Sequence, residues 1–420
     1  MKALWRELRA HRFLLSFGFL MVFLSGHGQT FLLSLYGGVL RETFTLSHSG
    51  YGGLYSLATL MSGLLVIWLG RAIDRIPLAR FTTAVIVGAA CGAVLLATAS
   101  VAWMLIPAFL LLRLCGQGLM AHTAQTTIAR RVERRRGTAL SAINLGFPLA
   151  EALMPITVVA LMLAVGWRTS WWVLAGGLLL LALPLALWLL RAQARVSAPT
   201  LADQSTESVR ADDTPVSDLE AMSWTRADVL QDRRFYQILP ALLAPPILIT
   251  ALFFHQVPIA QAKGWSLALV SSAFSVFAAS HIAALVFVGP LIDRVGARRL
   301  LGVYLLPLVV ALGVVGYWPG AIAAPIYLGL AGLCVGTSGT LMGALWPELY
   351  GIRHLGGIRA MVHGAMVLGT AAGPVLIGLL LDAGLTVAEL SLVMATYLVV
   401  AIVLVWPVAL ASPPAPSAPR

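Results

Sequence analysis

The sequence predicts an all-α membrane protein, with twelve transmembrane helices arranged as two six-helix pseudo-symmetric bundles. Three observations carry that expectation. Apolar residues make up 59% of the 420 and charged residues only 11%, where a soluble globular chain carries roughly a quarter charged. Uncharged stretches longer than the ~20 residues of a helical span recur along the chain. The chain also matches itself at an offset of 219 residues.

The spans follow from charge spacing. Segments 13–40, 43–70, 169–190, 235–262, 264–292 and 360–381 contain no charged side chain and are read as one helix each. Segments 81–129, interrupted only by Arg113, and 300–347 are too long for one helix. They divide at Ser100-Val101-Ala102-Trp103 and at Trp318-Pro319-Gly320, where turn-forming residues gather. Segments 138–167, with Glu151, and 390–409 complete twelve. The apolar run after Arg12 is too long, and lacks a small-residue cleavage site, for a secretory leader, so it is read as the first permanent helix.

An even number of spans puts both termini on one side, and short loops rich in Lys and Arg stay cytoplasmic. Of 28 such residues, only Arg41, Arg168 and Lys263 fall in loops on the far side, and Arg113 lies within a span. Both termini are therefore expected in the cytoplasm of a bacterial cell whose inner membrane holds the chain. The net charge of +11 is explained by topology, because Arg130, Arg131, Arg134, Arg135 and Arg136 form a short loop between two spans. No nucleic-acid partner is expected. Cys91, Cys115 and Cys334 all fall inside spans, which speaks against a disulfide framework or a Cys-rich metal site. No cofactor is expected.

At the 219-residue offset Gly70 meets Gly289, Asp74 meets Asp293, Arg75 meets Arg294, Gly137 meets Gly356 and Pro155 meets Pro374. Ser47 with Ser266 and Ser56 with Ser275 extend the match, so the helix order is kept through both halves, as in parallel repeats. The expected organisation is an N-terminal bundle (1–190), a cytoplasmic linker (191–234), a C-terminal bundle (235–410) and a disordered tail (411–420). The linker holds eight acidic residues and is rich in Pro, Ser, Asp and Thr. Near its end Thr225, with Asp228 three residues on, has the pattern of a helix N-cap.

Gly289-Pro290-Leu291-Ile292-Asp293-Arg294-Val295-Gly296-Ala297-Arg298-Arg299 resembles the loop motif of the major facilitator superfamily, between spans 8 and 9. The first-half copy, Gly70 to Arg80, keeps Gly, Asp and Arg but has Pro77 in place of the second Gly and lacks one basic position. The resemblance covers about 360 residues and implies the major facilitator fold, with transport by alternating access. It further implies a latch in which Asp293 and Asp74 accept hydrogen bonds at the starts of spans 5 and 11, where Gly137 and Gly356 permit close approach. Arg75 and Arg294 complete this cytoplasmic gate, whose closure favours the outward-facing state; simple positive-inside turns are the other reading. Ser25 to Thr30, Arg113 to Gly118, Gly146 to Glu151 and Trp346 to Gly351 look like a bacterial branch near the monocarboxylate transporters.

Ionisable groups near the bilayer centre cost roughly 2.5–3.5 kcal/mol on insertion scales and so face a cavity or a partner. Arg113 and Glu151 both fall within about 5 Å of mid-membrane at 1.5 Å per residue. Two readings stand: Arg113 holds an anionic substrate while Glu151 takes up a proton, or the two form a permanent pair between spans 4 and 5. His27, Gln29, Thr30 and Gln117 are expected as polar cavity walls. His255 and Gln256 lie in span 7 among Pro240, Pro245, Pro246 and Pro258, an interrupted helix of the kind that builds transporter sites. His122 and His281 are read as structural, and Glu348 and Asp382 as gate or topology residues. The expected protein is a monomeric secondary transporter of a small organic anion such as a monocarboxylate, coupled to protons; drug or metabolite efflux by proton antiport is the alternative. No P-loop, metal-ligand His spacing or Gly-x-Ser-x-Gly points to an enzyme.

Overall fold

The computed structural model describes residues 11–132, 136–196, 224–351 and 353–410. The expected tail at 411–420, most of the 191–234 linker, and Arg134 and Arg135 lie outside the described residues. Twelve spans follow in order: α1 (Arg12–Gly28 continued by Thr30–Thr43), α2 (His48–Asp74), α3 (Leu78–Thr98), α4 (Ala102–Arg131), α5 (Gly137–Val165) and α6 (Trp167–Val196). The second half holds α7 (Arg233–Phe254, continued by Gln256–Ala262), α8 (Leu267–Val295), α9 (Ala297–Tyr317), α10 (Ala323–Tyr350), α11 (Leu355–Asp382) and α12 (Val387–Leu410). Among the described residues there is no strand. The outer surface is studded with exposed Leu, Val, Phe and Trp side chains, including Leu163, Leu180 and Phe287, which only a hydrocarbon solvent accommodates.

The 219-residue offset is carried by the helices themselves. α3 and α9 correspond end to end under it, and the starts of α2 and α8 correspond as well. Their N-caps match in chemistry: Ser47 Oγ accepts from Gly50 N at 2.9 Å and Ser266 Oγ from Leu269 N at 3.1 Å. The short helix Arg226–Gln231 before α7 has the expected capping box between Thr225 and Asp228. At the α8–α9 junction Gly296 has φ +84°, a conformation open to glycine and costly for side chains with a Cβ. Pro77 at the matching place starts α3 from an ordinary negative φ instead.

Two spans are broken. α1 bends by 43° between its two parts. Ser25–Gly28 winds as a tight 3₁₀ turn and Gln29 is extended. The second break sits at His255, whereas Pro240, Pro245 and Pro246 lie inside a continuous helix. Pro258 accounts for the position, since it lacks the N–H that would bond the Phe254 carbonyl and its ring crowds that carbonyl.

The ends of α2, α4, α8 and α10 share one face of the bundle with the starts of α3, α5, α9 and α11. This is called the basic face here, after Arg130, Arg131, Arg294, Arg298 and Arg299. The opposite end is the far face. The two halves meet chiefly along α2 with α11 and α5 with α8.

Candidate functional site

Among the described residues Arg113 is the one Lys, Arg, Asp or Glu that is buried, at 3% exposure. It lies on a π-helical stretch of α4, Leu112–Met120, a wider winding that often marks functional positions. The broken turn of α1 is pressed against this stretch. A Cβ on Gly28 would collide with the Leu112 carbonyl, and one on Gly116 would meet the Gly28 backbone. Arg113 Nη1 reaches the Gly28 carbonyl at 3.4 Å and Thr30 Oγ1 at 3.3 Å, both long for hydrogen bonds. Its guanidinium lies 5.0 Å from the Tyr55 ring centre, and Tyr55 OH and Thr30 Oγ1 are 2.7 Å apart. Nε has no partner. A guanidinium has five N–H donors, so most of this fork's capacity remains free for a planar anion.

Of the two readings of Arg113 and Glu151, the permanent pair is not formed: Arg113 bonds Gly28 and Thr30 and not Glu151. The α1 turn sits between the two helices, with Gly26 against Ala150 and Met154 of α5 and Gly28 against α4. Glu151 Oε2 instead bonds His281 Nδ1 at 2.9 Å, across the seam between the halves. His281, read from sequence as structural, is thus a partner of the acid. Residue 151 is the centre of Gly137–Val165 and residue 281 the centre of Leu267–Val295, so both lie about 21 Å from either helix end at 1.5 Å per residue. Ser275 Oγ meets the Ala152 carbonyl at 3.5 Å beside them.

The other expected wall residues divide. His27 Nδ1 lies 2.8 Å from the Leu24 carbonyl, within its own turn. Gln29 forms the break of α1, and the Gln117 backbone backs onto Gly28. His255 and Gln256 diverge: the His255 ring bonds the Pro374 carbonyl at 2.9 Å, whereas Gln256 accepts from Tyr327 inside the second half. Neither reaches Arg113. His122 bonds the Gly70 carbonyl at 3.1 Å.

The far face is closed. Asp382 at the end of α11 accepts from His48 N at 2.9 Å and Ser49 N at 2.8 Å, the first amides of α2. Below this bond, a Cβ on Gly378 would run into the His48 carbonyl, one on Gly52 would meet the Pro374 carbonyl, and Ser56 donates to the Ala371 carbonyl. Aromatic rings fill the neighbouring seam: Tyr51 stacks on Phe254 at 4.7 Å, Tyr55 packs on it at 4.6 Å, and Phe31 lies 6.0 Å from Phe274. Tyr55 therefore touches both Arg113 and the seal.

At the basic face the ion pairs between described residues stay within each half. Asp74 pairs with Arg130, and Glu348 accepts from Ala297 N at 2.8 Å and Arg298 Nε at 2.9 Å. A Cβ on Gly137 or Gly356 would meet nothing within 4 Å. Asp293, Arg294 and Arg75 make no bond between the halves among the described residues, so the expected latch is disengaged in this conformation. Tyr55, Phe254 and His281 are the additions to the sequence-based set. Depth alone could have pointed to His281, since it stands mid-span like Glu151; the rings carry no such mark.

Comparison with known proteins agrees with this fold. A solved bacterial homologue of the human lysosomal transporter Spinster, in an inward-facing and unoccupied conformation, superposes with TM-score 0.68 at 13% identity, over 95% of this chain and 97% of that one. The nucleoside transporter NupG superposes with TM-score 0.69 at 14% identity, over 96% and 100%. No curated protein matches the sequence. The family model of the Major Facilitator Superfamily matches residues 18–257 and 247–420; with its two broken-helix halves closed at one face and unlatched at the other, the chain belongs to that superfamily of multi-pass membrane transporters.

Proposed function

We propose that this transporter carries a small organic anion of the monocarboxylate class by alternating access, with a proton as the coupling ion and Arg113 as the anion site. The observation that carries the reading is that, among the described residues, no carboxylate is bonded to Arg113. A buried cation is usually paired, and a carboxylate can take two parallel N–H···O bonds from a guanidinium. Tyr55 and Thr30 then supply a hydroxyl pair at one edge of the anion. Glu151 is the acid of the proton-coupling site. The basic face is read as cytoplasmic, which makes this an inward-facing, unlatched conformation of a monomer in a bacterial inner membrane.

Purified protein in liposomes, given a pH gradient and a panel of carboxylates, should move protons with one of them. Arg113→Gln should abolish anion uptake while leaving the protein folded. Uptake retained by Arg113→Gln would remove the anion-site assignment.

A further inference from the structure

Glu151 and His281 are the mid-membrane ion-pairing groups that the anion site does not use. Each is the central residue of its span, and their bond joins the two halves at mid-membrane. Both side chains are 12% exposed, largely buried but not sealed off. The repeat does not reproduce them: the offset places Thr370 against Glu151 and Ser62 against His281. The seam thus holds a single such pair rather than two symmetry-related ones.

We propose that Glu151 and His281 form one proton-binding unit that ties proton uptake to closure of the seam, His281 being the residue that carries the proton. This rests on the proton-coupled carrier reading above. Nδ1 is the ring nitrogen turned to Glu151, which leaves Nε2 to exchange the proton with water. Uptake at Nε2 converts a neutral imidazole donating to a carboxylate into an imidazolium facing a carboxylate. Charge-assisted bonds are roughly twice as strong as neutral ones, so the proton strengthens the contact between α5 and α8. By linkage, the conformation in which the bond exists binds the proton more tightly than one in which the helices have parted. Loss of the proton from Nε2 leaves Glu151 charged beside a neutral ring and weakens the tie.

Few other ionisable groups can take over this role. Glu151 is the sole ionisable residue of α5, and α8 carries only His281 before Asp293 and Arg294 at its basic end. Of the elements packed on them, α1 brings His27, bonded to Leu24, with Arg12 at its basic end and Tyr36, Arg41 and Glu42 toward its far end; α7 brings His255, bonded to the Pro374 carbonyl, with Arg233, Arg234 and Tyr236 at its basic end and Lys263 beyond its far end, and α9 brings Arg298 and Arg299 at its basic end and Tyr304 and Tyr317 along its length. α6 brings Arg168, bonded to the Ala99 carbonyl at the far face. α10 lays Gly336 against His281; its nearest ionisable residue in sequence is Cys334, a buried thiol, with Tyr327, Glu348 and Tyr350 further along.

The test needs no substrate, so it reads the pair whether or not Arg113 binds an anion. Spin labels on Thr138→Cys and Ala360→Cys, in protein whose three natural cysteines are replaced, report the separation of α5 and α11 at the basic face. Across about pH 5 to 8, where imidazole exchanges protons, the wild-type pair should shift toward the conformation described here as pH falls, by at most about tenfold per pH unit for one proton. Glu151→Gln and His281→Gln should each flatten that response, and the exchanged pair Glu151→His with His281→Glu should restore it. A pH response unchanged in His281→Gln, or none in the wild type, overturns the proposal. So does a folded exchanged pair that stays flat; where that variant does not fold, the single substitutions decide.

Discussion

Arg113 shows how much a single side chain can be asked to do. Its guanidinium is planar, stacks on Tyr55 and presents a fork, three properties that lysine lacks. Arg113→Lys should therefore keep the positive charge yet lose at least about tenfold in anion affinity, equivalent to ~1.4 kcal/mol, measured by binding to protein in detergent; full affinity in the lysine variant would mean that charge alone suffices. Gly28 is the second residue-scale test. Because its missing Cβ lets α1 approach the Leu112 carbonyl, Gly28→Ala should destabilise the fold by about 1–3 kcal/mol, the usual cost of overpacking, read as a fall in Tm. Asp228 gives a test outside the spans. Hydrogen bonds from the Thr225 side chain and then its backbone N–H lower the Asp228 pKa. A carboxylate with a depressed folded-state pKa stabilises at pH values above its unfolded pKa, and that stability is lost as pH falls through the folded one. Amide exchange in 226–231 should accordingly quicken as the pH drops below the ordinary carboxylate range. Arg113 and Thr30 were legible in the sequence because intramembrane charge and helix spacing mark them; Tyr55 and Phe254 were not, since aromatic residues are common on every buried helix face.

At the scale of the element, the joint between α2 and α11 holds the far face shut. The Asp382 carboxylate takes the first two amides of α2, where the helix dipole adds ~0.3–1 kcal/mol to a negative charge. Asp382→Asn keeps the shape and removes the charge. The far face should then open more often, and alkylation of Ser56→Cys from that side should quicken by up to about fivefold, the factor that ~1 kcal/mol corresponds to; an unaltered rate would show that the carboxylate does not hold the gate. The sequence placed Asp382 at a span end without revealing its partner, for the bond joins residues more than 300 positions apart. The break in α7 was legible only in outline. Four prolines marked it as irregular, but three fit inside the helix among neighbours that re-satisfy the backbone, and only Pro258 falls where the chain turns.

For the whole molecule, the halves are bonded together at the far face, whereas among the described residues no ion pair joins them at the basic face. Alternating access requires that the order reverse, and the proposed role of the motif loops is to take over as the latch. Asp74→Asn should weaken that latch and favour the conformation described here; unchanged labelling of cavity cysteines from both sides would sink the latch. The exchange also demands that the two halves move as bodies. Helix bounds that repeat at 219 residues supply two nearly equal bundles, while Arg113 and Glu151 have Gly332 and Thr370 as their counterparts. Scaffold is duplicated here and chemistry is not.

Hydropathy, charge asymmetry and the internal repeat were enough to state the number of spans, their pairing into halves and the family motif, because each depends on transfer of side chains between water and hydrocarbon or on local backbone chemistry. Which charged groups meet was a different matter. Arg113 and Glu151 stand at similar depths on consecutive spans, and nothing in their spacing reveals that the glycine-rich turn of α1 wedges between them. Only the packed bundle sends Arg113 to Tyr55 and Thr30 and turns Glu151 across the seam to His281, since depth sets one coordinate of a side chain and the rotation and neighbours of its helix set the rest.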